Sequence, residues 1–300
     1  IMNKNIFSFS CAIAVSLIWG SAFIAQDMGM DFLGPFGFTF GRLILGFFTL
    51  LPFFIIFDLK KVKEDKINYK KVWFYALFIG FLLSSGNILQ QFALLYTDVA
   101  NTAVFTILYV VIVPFVGMYF YSKKIHWSVW PAILICVFGS FLLTEIKNVT
   151  VRLGDSIAVV NAFFWAFHIV FISKFVRFFN FPITIAMSQC LIGALIALIP
   201  ALIFEDLTLS NLLKESKEMI YAGVLSSGVA FLLQVYSQQN LNPAPVAIIF
   251  TLEGVWAALF GWILLDQYLN SIKILGIIMI LGAVIFSQLS TIYGKKSYGN

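Results

Sequence analysis

Charged side chains are scarce in this sequence: Asp, Glu, Lys and Arg together make up 11% of 300 residues. A soluble domain of this size needs about a quarter charged residues to cover its surface, so a soluble fold is excluded. Histidine and cysteine are equally sparse, at 2 and 3 residues. Cys11, Cys136 and Cys190 stand far apart in apolar stretches without CxxC or Cys/His spacing, which leaves them as small packing residues and not as disulfides or zinc ligands. His126 and His168 have no H-E-x-x-H or D-x-x-D company, which argues against a membrane-embedded enzyme acting on lipid. No metal or cofactor is expected. The formal net charge of +5 does not point to nucleic acid, because the cations sit in short connections and not on an aromatic-studded face. Long polar connections are missing as well, so there is no room for a separate soluble domain.

What is present is hydrocarbon. The chain is 61% hydrophobic, with 34 Phe residues and a mean hydropathy of +0.97. A helix needs ~20 apolar residues to cross a ~30 Å bilayer core. Stretches of that kind lie near 7–25, 36–57, 72–95, 99–121, 128–144, 156–175, 183–204, 219–239, 244–265 and 272–290. The expectation is an all-α integral membrane protein with ten transmembrane helices. Met2 is read as the start, with Ile1 a remnant, and the first stretch as a retained helix and not a cleaved signal. Tyr96-Thr97-Asp98 and Asn240-Leu241-Asn242-Pro243 supply turns between close-set spans. Residues 205–218 would form an outer loop with a short interfacial helix.

Loop charge gives the orientation. One side holds Lys4, Lys60, Lys61, Lys63, Lys66, Lys70, Lys71, Lys123, Lys124, Lys174, Arg177, Lys295 and Lys296. The other holds Lys147, Arg152, Lys214, Lys217 and Lys273, among acids such as Asp27, Asp31, Asp98, Glu145, Asp155, Glu205, Asp206 and Asp266. Cations concentrate on the cytoplasmic side, so both termini are expected inside a bacterial cytoplasmic membrane. Asn148-Val149-Thr150 matches a glycosylation sequon and is set aside, since nothing marks a secretory host.

An internal repeat is the most informative feature. Leu51-Pro52 and Phe57-Asp58-Leu59 recur as Ile199-Pro200 and Glu205-Asp206-Leu207. Trp19 corresponds to Trp165, Leu89-Gln90 to Leu233-Gln234, Tyr109 to Glu253, Gly117 to Gly261, and Gly139-Ser140 to Gly282-Ala283. Their order and near-constant offset divide the chain into 1–148 and 149–300. Each half holds five spans, and an odd number forces the two halves into opposite topology, the inverted-repeat plan of secondary transporters.

The chain resembles the drug/metabolite transporter superfamily in its ten-helix EamA-type branch. The resemblance is carried by Trp19-Gly20-Ser21-Ala22-Phe23, Gly41-Arg42-Leu43, Leu108 to Pro114, and Thr251 to Trp262, and it extends nearly end to end. Gly254 departs from the Pro or Ser that often follows the glutamate in that family; it permits unwinding without imposing a kink. The resemblance implies a cytoplasmic-membrane carrier, commonly an exporter of amino acids, related metabolites or amphiphilic toxic compounds, working by alternating access. A passive uniport facilitator remains the alternative, and a monomer or weak homodimer is expected.

Polar groups in hydrocarbon are costly and mark candidate sites. Asn87, Gln90 and Gln91 share one face of the third span, as Gln234 and Gln238 do on the eighth. By the repeat, Gln90 and Gln234 would face each other across the axis, where amides can hold a zwitterion or can simply bond helix to helix. Glu253, in the middle of the ninth span, can carry a coupling proton, counter a substrate amine, or partner Arg42. Arg42 can bind a carboxylate or snorkel to headgroups. His168 can titrate or simply bond within the core. Trp19, Tyr109 and Trp165 would line the axis and suit flat or cationic solutes. Pro114 predicts a kink in the fourth span.

Overall fold

In lipid every backbone amide must find its partner inside the protein, and for segments this apolar the helix is the solution. The computed structural model describes residues 4–64, 69–121, 125–143, 152–264 and 268–297, with no strand among them. The helices are α1 (Lys4–Met28), α2 (Pro35–Phe53), α3 (Tyr69–Tyr96), α4 in two pieces (Val99–Ile107 and Tyr109–Tyr121) and α5 (Val129–Leu143). The second half supplies α6 (Leu153–Phe179), α7 (Pro182–Phe204), α8 (Ser216–Ile220 and Ala230–Asn240), α9 in two pieces (Pro243–Phe250 and Leu252–Leu264) and α10 (Ser271–Ser297). A wide π-helical stretch, Tyr221–Val229, joins the pieces of α8, and another, Phe54–Asp58, prolongs α2 into Leu59–Glu64. Among the described residues 9 helices are long and apolar enough to cross a membrane, and α5 is the shorter apolar one at 15 residues. Large apolar side chains such as Phe48, Ile56, Ile199 and Phe204 point outward, as lipid contact requires. The expected short helix after α7 is Leu209–Lys214, its first turn capped by Thr208 Oγ1 accepting from the Asn211 amide.

Sequence also sets where these helices begin. Pro35, Pro182 and Pro243 each open a helix, where a missing N–H costs nothing. Asn180 ends α6 in the left-handed conformation at φ 52°, which Asn tolerates better than other side chains.

The two halves are inverted, and the ends of α2 and α7 demonstrate it. Asp58, past the end of α2, accepts hydrogen bonds from the Thr184 amide (3.1 Å) and hydroxyl (2.9 Å) at the start of α7. Glu205, at the end of α7, accepts from the amides of Phe36 (2.9 Å) and Gly37 (2.6 Å) at the start of α2. Each helix therefore caps the other's N-terminus with a carboxylate, which satisfies orphan amides and complements the helix dipole. That is possible only if α2 and α7 run antiparallel along their length. The other contacts between halves obey the same two-fold: α3 packs on α6 as α8 packs on α1, and α3 on α7 as α8 on α2.

Two features differ from the sequence reading. The fourth span breaks at Leu108, and Pro114, expected to mark the kink, lies inside the second piece. A proline ring crowds the carbonyl four residues earlier, so its effect falls toward the start of that piece. The ninth span, read as continuous, breaks at Thr251 without any proline there. Lys66, Lys123, Lys124, Glu145, Lys147, Asp266 and the sequon Asn148-Val149-Thr150 lie outside the described residues.

Candidate functional site

The breaks in α4 and α9 occupy equivalent places in the two halves. At the first, the Leu108 amide donates to Phe105 O (3.3 Å) and the Val111 amide to Leu108 O (3.0 Å). At the second, the Gly254 amide donates to Thr251 O (3.2 Å), and the Thr251 hydroxyl bonds back to Ile248 O (2.7 Å). Such three-residue bonds tighten a helix end, and a threonine bonded backward competes with the regular ladder. The expected unwinding beside Gly254 is thus centred on Thr251. Gly254 itself is helical, and a Cβ there would come 2.8 Å from Ile107 Cδ1.

Each break places one polar residue in the first turn of a half-helix. Tyr109 opens the second piece of α4, and Glu253 lies in the first turn of the second piece of α9. Their side chains meet across the two-fold, the Tyr109 hydroxyl donating to Glu253 Oε1 at 3.1 Å, and both residues are buried. The half-helix N-terminus also favours negative charge at Glu253. Close packing of α1 makes the meeting point possible: a Cβ on Gly20 would lie 2.5 Å from Glu253 O and 2.6 Å from Trp256 Cβ. The Trp19-Gly20 pair therefore has a steric cause, since any larger residue at 20 would push α1 off the break.

Beside this pair lies a small cavity on the axis. Its lining includes Trp19, Asn87, Gln90, Tyr109, Trp165, Arg42 and Glu253, all anticipated from the sequence, together with Phe23, Gln26, Thr106, Ile169, Ser226 and Phe231. Trp19 is the hub of an aromatic cluster, with ring centroids 5.8 Å from Trp165, 5.6 Å from Phe231 and 5.2 Å from Phe250. The cavity has room for about one water, so the side chains close in around the site.

Arg42 is 2% exposed and anchored by neutral groups alone: Gln26 Oε1 (2.6 Å), Ser226 Oγ (2.9 Å) and Ser227 Oγ (3.1 Å). It does not snorkel, and no ion pair joins it to Glu253. Among the described residues, Glu253 has Tyr109 as its one hydrogen-bond partner. A buried cation and a buried carboxyl thus share one cavity without neutralising each other. Asn87 donates to Leu83 O and leaves its Oδ1 unpartnered.

The remaining sequence candidates are not part of this lining. Gln91 sits behind Gln26, its Nε2 3.4 Å from Gln26 O. His168, Gln234 and Gln238 belong to a separate buried group in the second half. Gln26 lies just past the first apolar stretch, which ends near residue 25, whereas α1 runs to Met28. Ser226, a serine near glycines, reads from the sequence as a packing residue. Only the fold shows that it receives Arg42.

Inverted halves, paired helix breaks and a polar cavity at their junction define a membrane transporter. The chain belongs to the EamA-like transporter family, whose profile matches residues 6–145 and again 152–289. It is 27% identical over 279 residues to an uncharacterized transporter of Archaeoglobus fulgidus, covering 92% of this chain and 83% of that one. It is 26% identical over 279 residues to the Bacillus subtilis uncharacterized transporter YoaV, covering 89% and 92%. One solved crystal structure superposes with a TM-score of 0.78 over 94% of this chain and 96% of the other, at 14% identity, a likeness of fold alone.

Proposed function

We propose that the protein is a secondary carrier for a small zwitterionic solute of the amino-acid type, exported across a bacterial cytoplasmic membrane by alternating access. The observation that carries this reading is the pair of unneutralised buried groups, Arg42 and Glu253, in one cavity. A solute carboxylate suits the forked guanidinium, and a solute ammonium suits the carboxylate at the half-helix N-terminus. Trp19 and Trp165 offer aromatic faces to the ammonium or to the solute side chain. Asn87 and Gln90 complete the polar wall. The two units, 1–148 and 149–300, would rock about α2 and α7, with both termini in the cytoplasm as the lysine distribution favours.

The test is binding to purified protein, read from tryptophan fluorescence and thermal shift. Neutral amino acids should bind, while their N-acetyl and carboxamide derivatives should bind at least tenfold more weakly. Equal binding of the carboxamides would remove Arg42 from the reading, and equal binding of the N-acetyl forms would remove Glu253.

Proton exchange at Glu253 is the second part of the proposal, supported by a buried carboxyl whose hydrogen-bond partner among the described residues is Tyr109. A proton taken up there as the ammonium leaves would couple export to the proton gradient. Glu253→Gln should then abolish dependence of flux on a pH gradient; unchanged dependence would remove Glu253 as the coupling group, and a wild type with no dependence would be a uniporter.

A further inference from the structure

The second half carries a polar cluster of its own, behind the Trp165, Ile169 and Phe231 wall of the central cavity. His168 on α6 shares a 2.8 Å hydrogen bond with Gln189 Oε1 on α7. Gln238 on α8 donates to Ile169 O (2.7 Å) and Ser173 Oγ (2.9 Å) on α6. Gln234 lies one turn before Gln238, and all four residues are fully buried. Yet His168 Nδ1, Gln189 Nε2, Gln238 Oε1 and both amide atoms of Gln234 have no hydrogen-bond partner among the described residues. A buried amide with nothing to bond is a standing cost that an apolar side chain of similar volume avoids. Several such groups on three packed helices need a reason.

Their position supplies one. Gln189 lies two turns into α7 from its start, as Arg42 lies two turns into α2 from its start at the opposite face. The two are equivalent under the inverted repeat, so the cluster is the counterpart of the Arg42 site, displaced toward the face that holds the N-terminus. The wall between them is aromatic and shared. The Trp165 and Phe231 rings line the central cavity and also pack on the His168 ring, at 5.5 Å and 6.2 Å.

We infer that His168, Gln189, Gln234 and Gln238 form a second binding station for the transported zwitterion, between the central cavity and the amino-terminal face. The inference rests on the reading of the central site given above. The chemistry suits a transit site. An imidazole and three amides offer donors to a carboxylate and acceptors to an ammonium, but no fixed charge to hold either. A carrier needs such weak binding where solute must leave as readily as it enters. Rotation of the Trp165 and Phe231 rings would join the station to the cavity.

Gln234→Met tests the inference, because the Gln234 amide makes no protein hydrogen bond that its loss could break. The probe is a radiolabelled mixture of the common amino acids, used for retention by detergent-solubilised protein and for counterflow in proteoliposomes. The variant should retain label within twofold of wild type, melt at an equal or higher temperature, and run counterflow at least tenfold more slowly. Gln234→Asn, which keeps an amide, should recover at least half of the wild-type rate. Wild-type counterflow in the methionine variant would overturn the station while leaving the central site intact. Absence of retention by wild-type protein would instead overturn the zwitterion reading, and the station with it. If the methionine variant does not insert, Gln234→Leu carries the same test.

Discussion

The two halves are built to one plan, yet at equivalent positions they hold different chemistry. The second helix of the first half presents Arg42 and that of the second presents Gln189. The broken helix of the first half offers a tyrosine hydroxyl at its midpoint, and that of the second a carboxyl. Even the residues that cap these broken helices differ. Asp98 stands before α4 and Asn242 before α9, and an arginine from α6 or its entry reaches each. Arg152 pairs with Asp98 at 2.7 Å, an exposed ion pair, while Arg177 donates to the neutral Asn242 Oδ1 (3.2 Å) and Leu241 O (2.6 Å). On the proposed alternating-access reading, the repeated backbone would let both faces open, and the divergent side chains would make the two openings unequal.

Making one half chemically like the other is the way to test this. The largest effect is expected from Arg42→Gln, which gives the first half the residue of the second. Loss of a charge-assisted contact to a solute carboxylate is worth about 2–3 kcal/mol, or roughly 30- to 150-fold in Kd. Thermal stability should hold or rise, because a buried cation without a counter-charge is removed. A fall in both affinity and melting temperature would mark Arg42 as a structural residue.

Tyr109→Phe comes next. It deletes the hydroxyl that meets Glu253 and leaves the ring in place. Flux should fall about tenfold, equivalent to ~1.4 kcal/mol, with solute affinity changing less. Unaltered flux would show that the cross-axis hydrogen bond does not position Glu253.

The carboxylate caps allow a matched pair. Glu205→Gln weakens two amide contacts at the start of α2, and Asp58→Asn weakens one amide and one hydroxyl contact at the start of α7. Each should cost about 1 kcal/mol, a few degrees of melting temperature at most, with the Glu205 change the larger. Equal and negligible shifts would mean that the antiparallel pair is held by packing alone.

The smallest effect belongs to Asp98→Asn, which turns the ion pair into the neutral arrangement of the other face. Both partners are well exposed, so solvent screening leaves little of the ion pair at stake. Counterflow should change about twofold, and its salt dependence should flatten. An unchanged salt response would remove the ion pair from the account.

Much of this design was legible in the sequence because lipid leaves the chain few options. Hydropathy locates the spans, and the repeat aligns Trp19 with Trp165 and Tyr109 with Glu253, side chains that lie in contact in the structure. Gln90 and Gln234 obeyed the same offset and do not meet in the cavity. The reason is depth. An inversion axis lies in the membrane plane, so only equivalents near the midplane share a site. Gln90 lies near the end of α3 and Gln234 near the end of α8, and those ends lie at opposite faces. The helix breaks were hidden for a different reason. Leu108 and Thr251 sit inside apolar runs, and the bonds that break the helix there are made by backbone and a single hydroxyl.

The most direct measurement is a structure of the protein with a neutral amino acid bound. The account predicts the solute carboxylate within ~3 Å of the Arg42 guanidinium and its ammonium within ~3 Å of Glu253, between Trp19 and Trp165. A bound solute that leaves Arg42 on Gln26, Ser226 and Ser227 and does not touch Glu253 would contradict it.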